Sequence, residues 1–293
     1  MNAGITSGSV AGLDIHPHLR KHVINQIIAG MLAYFVVNIT HLLTQFILSG
    51  LLGFRAVLYS HKLDLRLNPG GTNLATITLL YNGVILIFLL TLVWFASQSR
   101  RPPIGIPFLR QLGFWLRIFA LCYVCGGLIA DALLGEGLAY AVGMLGFDKR
   151  LLYLMVPLMT IALLVNTQRI GFWLFSTTLS PSMIREDKKG TYIIYVGLLP
   201  LAIISILSLG LFGIHEHRML GMLGATLLVL LTLLLTWQKH VIPTISRNRI
   251  NRYGVAWPIL FLVLVGTCLM VIGRFRGISS TRFFSPVSTN VMR

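Results

Sequence analysis

The chain has 293 residues, of which 56% are hydrophobic and only 11% are charged. Soluble domains typically contain roughly 25% charged residues, so this composition excludes an ordinary soluble protein and indicates a chain surrounded by lipid. Lys and Arg number 24 against 8 Asp and Glu, a formal net charge of +16. Because the cations flank apolar runs and do not alternate with aromatic residues on a soluble module, we expect contact with anionic lipids and no nucleic-acid binding.

Hydropathy predicts an all-α polytopic bundle of about seven membrane-spanning helices. In chain order the apolar runs are Val23–Phe54, Leu74–Ala96, Leu112–Leu134, Leu151–Val165, Tyr192–Ile214, Met219–Trp237 and Trp257–Ile272. The connections are too short to fold alone, so the predicted organisation is a polar segment 1–22, a membrane domain 23–273 and a basic tail 274–293. The first run exceeds what a core of roughly 30 Å requires, which leaves open whether it forms one helix or two.

The expected location is the bacterial inner membrane, and the distribution of Lys and Arg favours a cytoplasmic N terminus. An arrangement of about seven spans places the connections 176–191 and 239–256 on one side of the membrane. Only His215, Glu216, His217 and Arg218 separate the fifth run from the sixth. This short, solvated turn predicts a tight antiparallel hairpin.

A polar group interrupts the first apolar run. Asn38, His41 and Gln45 have the spacing i, i+3 and i+7, which places them on one face of a helix. Polar residues inside a membrane helix either bond neighbouring helices together or form a functional site. Both interpretations remain open for these three residues.

The motif Ile39-Thr40-His41-Leu42-Leu43-Thr44-Gln45, followed by Leu51-Leu52-Gly53-Phe54-Arg55, resembles the first helix of intramembrane site-2-type zinc metalloproteases. Members of that family carry HExxH there, followed by an apolar stretch, a Gly-aromatic turn and an extended segment. His41 matches the first histidine of the motif. Leu42 stands in place of the catalytic Glu, and Gln45 stands in place of the second histidine.

The connection from Gly135 to Phe147 resembles a Gly- and acid-rich connection of some bacterial members, which supplies an acidic metal ligand. Asp131 or Glu136 is the nearest acid for that role. The family chemistry needs two imidazoles on one helix face and a Glu that activates zinc-bound water. Because Leu42 and Gln45 remove the base and one imidazole, the resemblance implies an inactive relative that holds no zinc or other cofactor.

Two charged residues lie in the third run. Arg117 and Asp131 are fourteen residues apart, about 21 Å along a helix, so they do not pair with each other. We expect Arg117 to extend towards the headgroups. We expect Asp131 to cap the helix end or to face water.

Small residues at helical spacing predict close packing. Cys122, Gly126 and Ala130 form such a row in the third run, and the Cys122–Cys125 pair is expected to be buried and without a redox role. In the predicted hairpin, the small residues of the fifth run, together with Gly221 and Gly224 of the sixth, are expected to pack the two helices against each other.

Three classes of function are compatible with these features. The first is a non-catalytic subunit or scaffold of a membrane complex, a pseudoenzyme if the protease ancestry is real. The second is a transporter of ions or small molecules, and the third is an active intramembrane metalloprotease. The first is favoured because the membrane runs contain few charges and no inverted repeat. Its expected partners are other membrane subunits and anionic lipids, contacted by a cationic rim that includes Lys239, Arg247, Arg249, Arg252, Arg274, Arg276 and Arg282.

Overall fold

Five of the predicted apolar runs form helices that are long and apolar enough to cross a membrane in the computed structural model. The structure describes residues 17–51, 55–59, 63–66, 107–136, 148–178, 189–212, 217–239, 256, 259–260, 262–266 and 278–279. The second apolar run, Leu74–Ala96, lies outside these residues. The seventh run is described at 259–260 and 262–266, where it is helical.

The described residues include five long helices and two short 3-10 helices. Their bounds are α1 Pro17–Leu51, α2 Pro107–Leu134, α3 Met155–Ser176, α4 at residues 189–212 and α5 His217–Leu235, with 3-10 helices at Lys149–Leu154 and Trp237–Lys239. Hydroxyl groups inside these apolar helices bond to carbonyl oxygens of the preceding turn, as Thr226 does to Met222 at 2.8 Å. Such bonds allow Ser and Thr to lie in lipid without an unsatisfied donor.

The long first run is one continuous helix of 35 residues. At 1.5 Å per residue it measures about 52 Å, so it must tilt in a bilayer or extend beyond it. The open question of one helix or two is therefore answered in favour of one. In α4, by contrast, Ile194–Leu198 form a π-helical turn just before Pro200, which accommodates the backbone bond that proline cannot make.

Hydrogen bonds between helix ends define two faces of the bundle. We call the end at which α1 begins the N face and the end at which α1 ends the C face. His22 of α1 bonds to Gln111 near the start of α2 and to Tyr192 near the start of α4. Gln26 bonds to Thr177, which directly follows α3. Helices α2 and α4 therefore begin at the N face, and α3 ends there.

The N face also receives the end of α5 and the start of the seventh run. Gly190 of α4 faces the indole of Trp237, and the backbone N–H of Ala256 donates to Oδ1 of Asn25 at 2.9 Å. The connections 176–191 and 239–256 thus begin and end at the same face. This is the arrangement that the sequence predicts for these two connections.

Helix α2 is the centre of the bundle and contacts α1, α3 and α5. Its rings Trp115, Tyr123, Phe114 and Phe119 are almost completely buried, and large aromatic side chains supply much of the packing energy of a core. On α1, a row of exposed apolar side chains follows the outer surface at Val36, Ile39, Leu43, Ile47 and Leu51. In a membrane such a row can face the lipid tails, so no other part of a protein has to cover it.

Helices α2 and α5 pack in antiparallel contact along a row of small residues. A Cβ atom added to Gly126 would overlap the backbone of Gly221 and would lie 2.8 Å from Cβ of Ala225. The prediction that Gly221 and Gly224 pack against the fifth run is wrong. Gly221 faces α2, and a Cβ atom added to Gly224 would meet no atom of the described residues within 4 Å. A short connection sets the chain path, but it does not determine which face of the helix packs.

A small antiparallel sheet lies beyond the end of α1, in the order β2-β1-β3. Its strands are β1 Arg55–Leu58, β2 Leu63–Arg66 and β3 Ile278–Ser279. Leu58 pairs with Leu63 on one side and with Ile278 on the other. The all-helical fold is therefore confirmed apart from this sheet. Two residues of the C-terminal tail, Ile278 and Ser279, pair with β1.

Candidate functional site

A buried ion pair joins α2 and α5 at the C face. Asp131, three residues before the end of α2, has no exposed surface. Arg218 donates Nε–H to Oδ1 at 3.0 Å and Nη2–H to Oδ2 at 2.7 Å. The prediction that Asp131 faces water or caps a helix end is wrong, because the planar guanidinium satisfies both carboxylate oxygens within the bundle.

His217 extends this pair to a second carboxylate. Its Nε2 lies 2.7 Å from Oδ1 of Asp131, and its Nδ1 lies 2.9 Å from Oε2 of Glu136. Gly135 makes the second contact geometrically accessible, because its φ of 72° reverses the chain after α2 and its N–H bonds to the carbonyl of Asp131 at 3.0 Å. This is the left-handed turn that glycine adopts readily at helix ends.

The ring of His217 must donate from both nitrogens if both carboxylates are ionised. A neutral imidazole has one N–H donor, so it can donate to one of the two carboxylates at a time. We call Asp131, Glu136, His217 and Arg218 the charge cluster.

The polar residues of the first run lie on one buried face, as their spacing predicts. Asn38, His41 and Gln45 have exposed fractions of 3%, 4% and 7%. The His41 ring lies 5.2 Å from the ring of Tyr123 on α2, and it is within electrostatic range of Arg218 and Asp131. Among the described residues, neither Oδ1 of Asn38 nor Nδ1 of His41 has a hydrogen-bond partner.

The donor set around His41 does not fit the zinc that the family resemblance implies. Leu42 is buried and apolar, and both oxygens of Asp131 are bound by Arg218. The guanidinium within electrostatic range of His41 would also repel a divalent cation. Within the described part of the chain, no three His, Cys, Asp or Glu residues are grouped so that they could hold a metal ion.

A second polar cluster, at the N face, was not predicted. The amide nitrogen Nε2 of Gln111 donates to Nδ1 of His22 at 2.8 Å, which leaves the proton of the neutral ring on Nε2. That nitrogen lies 3.0 Å from the hydroxyl of Tyr192. All three side chains are buried. One imidazole therefore connects the starts of three helices.

The amide of Gln26 extends the N-face cluster to α3. Its Oε1 accepts from the indole Nε1–H of Trp115 at 2.7 Å, and its Nε2 donates to Oγ1 of Thr177 at 3.0 Å. The signal for this cluster was present in the sequence, since His22 and Gln26 have the spacing i, i+4. Because the predicted first run began at Val23, His22 was assigned to the polar segment 1–22 and was not recognised as part of the first helix.

The remaining charged residue of α2 also differs from expectation. Arg117 is 6% exposed, and its guanidinium carbon lies 4.6 Å from the centre of the Trp173 ring on α3. The prediction that Arg117 extends to the headgroups is wrong, because the ring face offers a cation-π contact inside the bundle. Cys122 and Cys125 are buried free thiols.

One of the basic residues predicted to contact lipid or partners lies within the described residues. Lys239 ends the 3-10 helix that follows α5 and lies at the N face. The other members of the set lie outside the described residues: Arg247, Arg249, Arg252, Arg274, Arg276 and Arg282.

Comparison with protein-family models, with curated proteins and with solved structures finds no match to this chain. What can be concluded about function therefore comes from the geometry of the two polar clusters.

Proposed function

We propose that the chain is a non-catalytic integral membrane subunit that works by association with other membrane proteins. The observation that carries this proposal is that both carboxylate oxygens of Asp131, a buried acid within electrostatic range of His41, already have hydrogen-bond partners. Both of its oxygens are bound by Arg218, and His217 adds a third contact. To act as a base, a metal ligand or a proton carrier, Asp131 would have to break the contact between α2 and α5. A carboxylate that is bound in this way is better suited to fixing the register of two helices than to taking part in a reaction.

The proposal includes seven spans. Helix α1 ends at the C face, α2 begins at the N face, and β3 returns to the C face beside β1. In this proposal the chain crosses once between residues 52 and 106 and once between residues 256 and 278. The runs Leu74–Ala96 and Trp257–Ile272 are the apolar segments available for these crossings. With the five described helices they bring the total to seven.

Cysteine labelling from each side of the membrane tests the topology. Ser182→Cys and Ser246→Cys are expected to react from the same side, since both lie in connections that start and end at the N face. Labelling of the two positions from opposite sides would contradict seven spans. Because membrane-spanning helices are typical of inner membranes whereas outer-membrane proteins span as β-barrels, a bacterial inner membrane is the proposed location.

Association is tested by native mass spectrometry of the full chain extracted in mild detergent. We expect a complex with other membrane subunits or with retained anionic lipid, since basic residues near a membrane surface contribute about 1 kcal/mol each. The variant Arg274→Gln/Arg276→Gln/Arg282→Gln should retain less of the other membrane subunits and less anionic lipid. It leaves Ile278 and Ser279 unchanged, so these residues can still pair with β1. Lys62→Gln, in the connection between β1 and β2, is the single-charge control. A bare monomer for all variants would contradict the proposal.

Elemental analysis tests the non-catalytic part of the proposal separately. We expect no stoichiometric zinc after purification at a submicromolar concentration of free metal. Zinc at unit occupancy that is lost in His41→Ala but retained in His217→Gln would identify a working metal centre. The active metalloprotease would then replace the pseudoenzyme.

A transporter is the second candidate, and one observation favours it. Asn38 and His41 present buried polar atoms without partners among the described residues, beside a charge cluster at the C face. Polar groups of this kind mark solute paths in many membrane proteins. If such a path exists, Asn38→Cys should react with a water-soluble maleimide added at the C face. If the chain is a scaffold, Asn38→Cys should react no faster than the buried Cys122.

A further inference from the structure

The outer face of α3 carries two polar side chains within an apolar row. The buried face of α3 contacts α2 and α5. The opposite face exposes apolar side chains about one turn apart, at Leu158, Ile161, Val165 and Phe172. Gln168 and Arg169 are exposed on the same face, between Val165 and Phe172. The helix continues to Ser176, so both polar residues lie inside it, although the apolar run predicted from the sequence ends at Val165.

Arg169 lies well below the membrane surface at the N face. The ring of Phe175 on α3 stacks on the ring of Tyr192, where the apolar run of α4 begins, with the ring centres 5.9 Å apart. These two rings mark the level at which the apolar part of the bundle starts. Arg169 is six positions before Phe175, which places it about 9 Å deeper along the helix axis. A cation at this depth on the outside of a bundle is costly unless an anion accompanies it.

The headgroups at the N face are a poor source of that anion. Side chains of an α-helix lean towards its N-terminal end. Because α3 ends at the N face, the Cα–Cβ bond of Arg169 points towards the centre of the membrane and away from the nearer headgroups. A long cation that bends back to the surface would have to act against this direction.

The sequence offers no acid for this position. Of its 8 acidic residues, Asp131 is the one that lies within an apolar run, and both of its oxygens are bound by Arg218. The others lie in the connections or in the polar segment: Asp14, Asp64, Glu136, Asp148, Glu186, Asp187 and Glu216. A second copy of the chain, packed side by side through the same face, would bring a second Arg169 and no carboxylate. The counter-charge therefore has to come from a different protein.

We propose that this face of α3 binds a membrane-spanning helix of another subunit, and that the bound helix carries a carboxylate at the depth of Arg169. This inference rests on the proposed function, since it names the surface and the chemistry by which the chain associates. Arg169 donates to both oxygens of the partner's Asp or Glu, as a planar guanidinium does. The amide of Gln168 adds a hydrogen bond between the two helices. The apolar residues above and below the pair pack against the partner and exclude lipid.

Disulfide cross-linking to a synthetic helix in vesicles of phosphatidylcholine tests this inference. The full chain with Val165→Cys is reconstituted with a Leu- and Ala-rich peptide of about 20 residues. The peptide carries one Glu at its middle and one Cys one turn away, on either side in separate peptides, and a second set has Gln in place of Glu. Ala202→Cys on α4 is the matched control. Ala202 is exposed and lies ten positions after Tyr192, as Val165 lies ten positions before Phe175.

The expected result is a preference for the acidic peptide. At mildly alkaline pH, Val165→Cys should be cross-linked to the Glu peptide roughly 3- to 30-fold more than to the Gln peptide, the range expected for one polar contact between membrane helices. At Ala202→Cys the two peptides should react alike. Adding Arg169→Leu should abolish the preference. Adding Arg169→Lys, which keeps the charge but not the planar fork, should retain part of it.

Three results would overturn the inference. The first is equal reaction of the Glu and Gln peptides at Val165→Cys, or a preference that survives Arg169→Leu. The second is loss of the preference in vesicles of equal parts phosphatidylcholine and phosphatidylglycerol, which would identify lipid phosphate as the counter-charge. The third is cross-linking of the Val165→Cys chain to itself, which would show that a second copy occupies this face.

Native mass spectrometry of Arg169→Leu separates this inference from the proposed function. We expect this variant to retain less of the other membrane subunits than the unsubstituted chain does. If the complex persists undiminished in Arg169→Leu, association stands, but the outer face of α3 is not its interface. A bare monomer of the unsubstituted chain would overturn both.

Discussion

The contact between α2 and α5 can be tested with two glycines of the same helix. Gly221 faces the backbone of α2, whereas a Cβ atom added to Gly224, one turn along, would meet no atom within 4 Å in the described part of the chain. The substitutions Gly221→Ala and Gly224→Ala add the same methyl group to the same helix. A difference in the free energy of unfolding between the two variants therefore reports the contacts that the added methyl group makes.

The expected difference follows from the geometry. A Cβ atom at Gly221 would overlap the carbonyl oxygen of Gly126, and it would lie 2.7 Å from that carbonyl carbon and 3.0 Å from Cβ of Ala130. The first two atoms are backbone, so no side-chain rotation relieves the overlap, and the helices must separate. Overpacking of this kind costs about 1–3 kcal/mol. The gain of about 1 kcal/mol from replacing glycine in a helix is common to both variants.

Reversible unfolding of the two variants in the same mild detergent measures this difference. We expect Gly224→Ala to be as stable as the unsubstituted chain or slightly more stable. Gly221→Ala should be less stable than Gly224→Ala by about 1–3 kcal/mol. If Gly221→Ala is equally stable, α2 and α5 do not approach each other at this position, and the antiparallel contact described here is wrong.

Two further predictions concern the polar clusters. Asp131→Asn should destabilise the chain by about 3–5 kcal/mol, because it leaves the buried guanidinium of Arg218 without a counter-charge; unfolding in detergent measures this, and a cost no larger than that of Asp148→Asn would contradict the buried pair. Trp115→Phe should cost about 1–3 kcal/mol, since Oε1 of Gln26 loses its donor in a site without water access. An unchanged free energy of unfolding for Trp115→Phe would show that the indole bond contributes nothing.

The spans could be predicted from the sequence because a bilayer imposes length and apolar character on each helix separately. The runs that begin at Val23 and Leu112 correspond to α1 and α2, which begin several residues earlier, at Pro17 and Pro107. The shared face of Asn38 and His41 could also be predicted, since helical periodicity is a local property. Each of these features depends on residues within a few turns of one another.

The partners of these helices could not be predicted in the same way. Asp131 and Arg218 are 87 positions apart, and within its own run Asp131 has only Arg117, which lies too far along the axis. Reasoning from residues within the same run therefore predicted headgroups as the partner of Arg117 and water or the helix end as the partner of Asp131. The row around Gly126 was predicted without a partner. Gly221, which meets it, was expected to pack against the fifth run because neighbours in sequence are usually neighbours in space. Which faces meet depends on the shapes of all the helices together.

The pairing of β1 with β3 has a consequence for biosynthesis. β2 reaches β1 through a short turn, but Ile278 is 220 positions after its partner Leu58. At a synthesis rate of roughly 5–20 residues per second, one edge of β1 stays open for about 10–45 s while the later helices are inserted. The third strand can be added only after the last apolar run has been synthesised. Completion of the sheet therefore marks a chain whose whole membrane domain has been made, and a chain truncated before residue 278 keeps an open strand edge that another polypeptide can occupy.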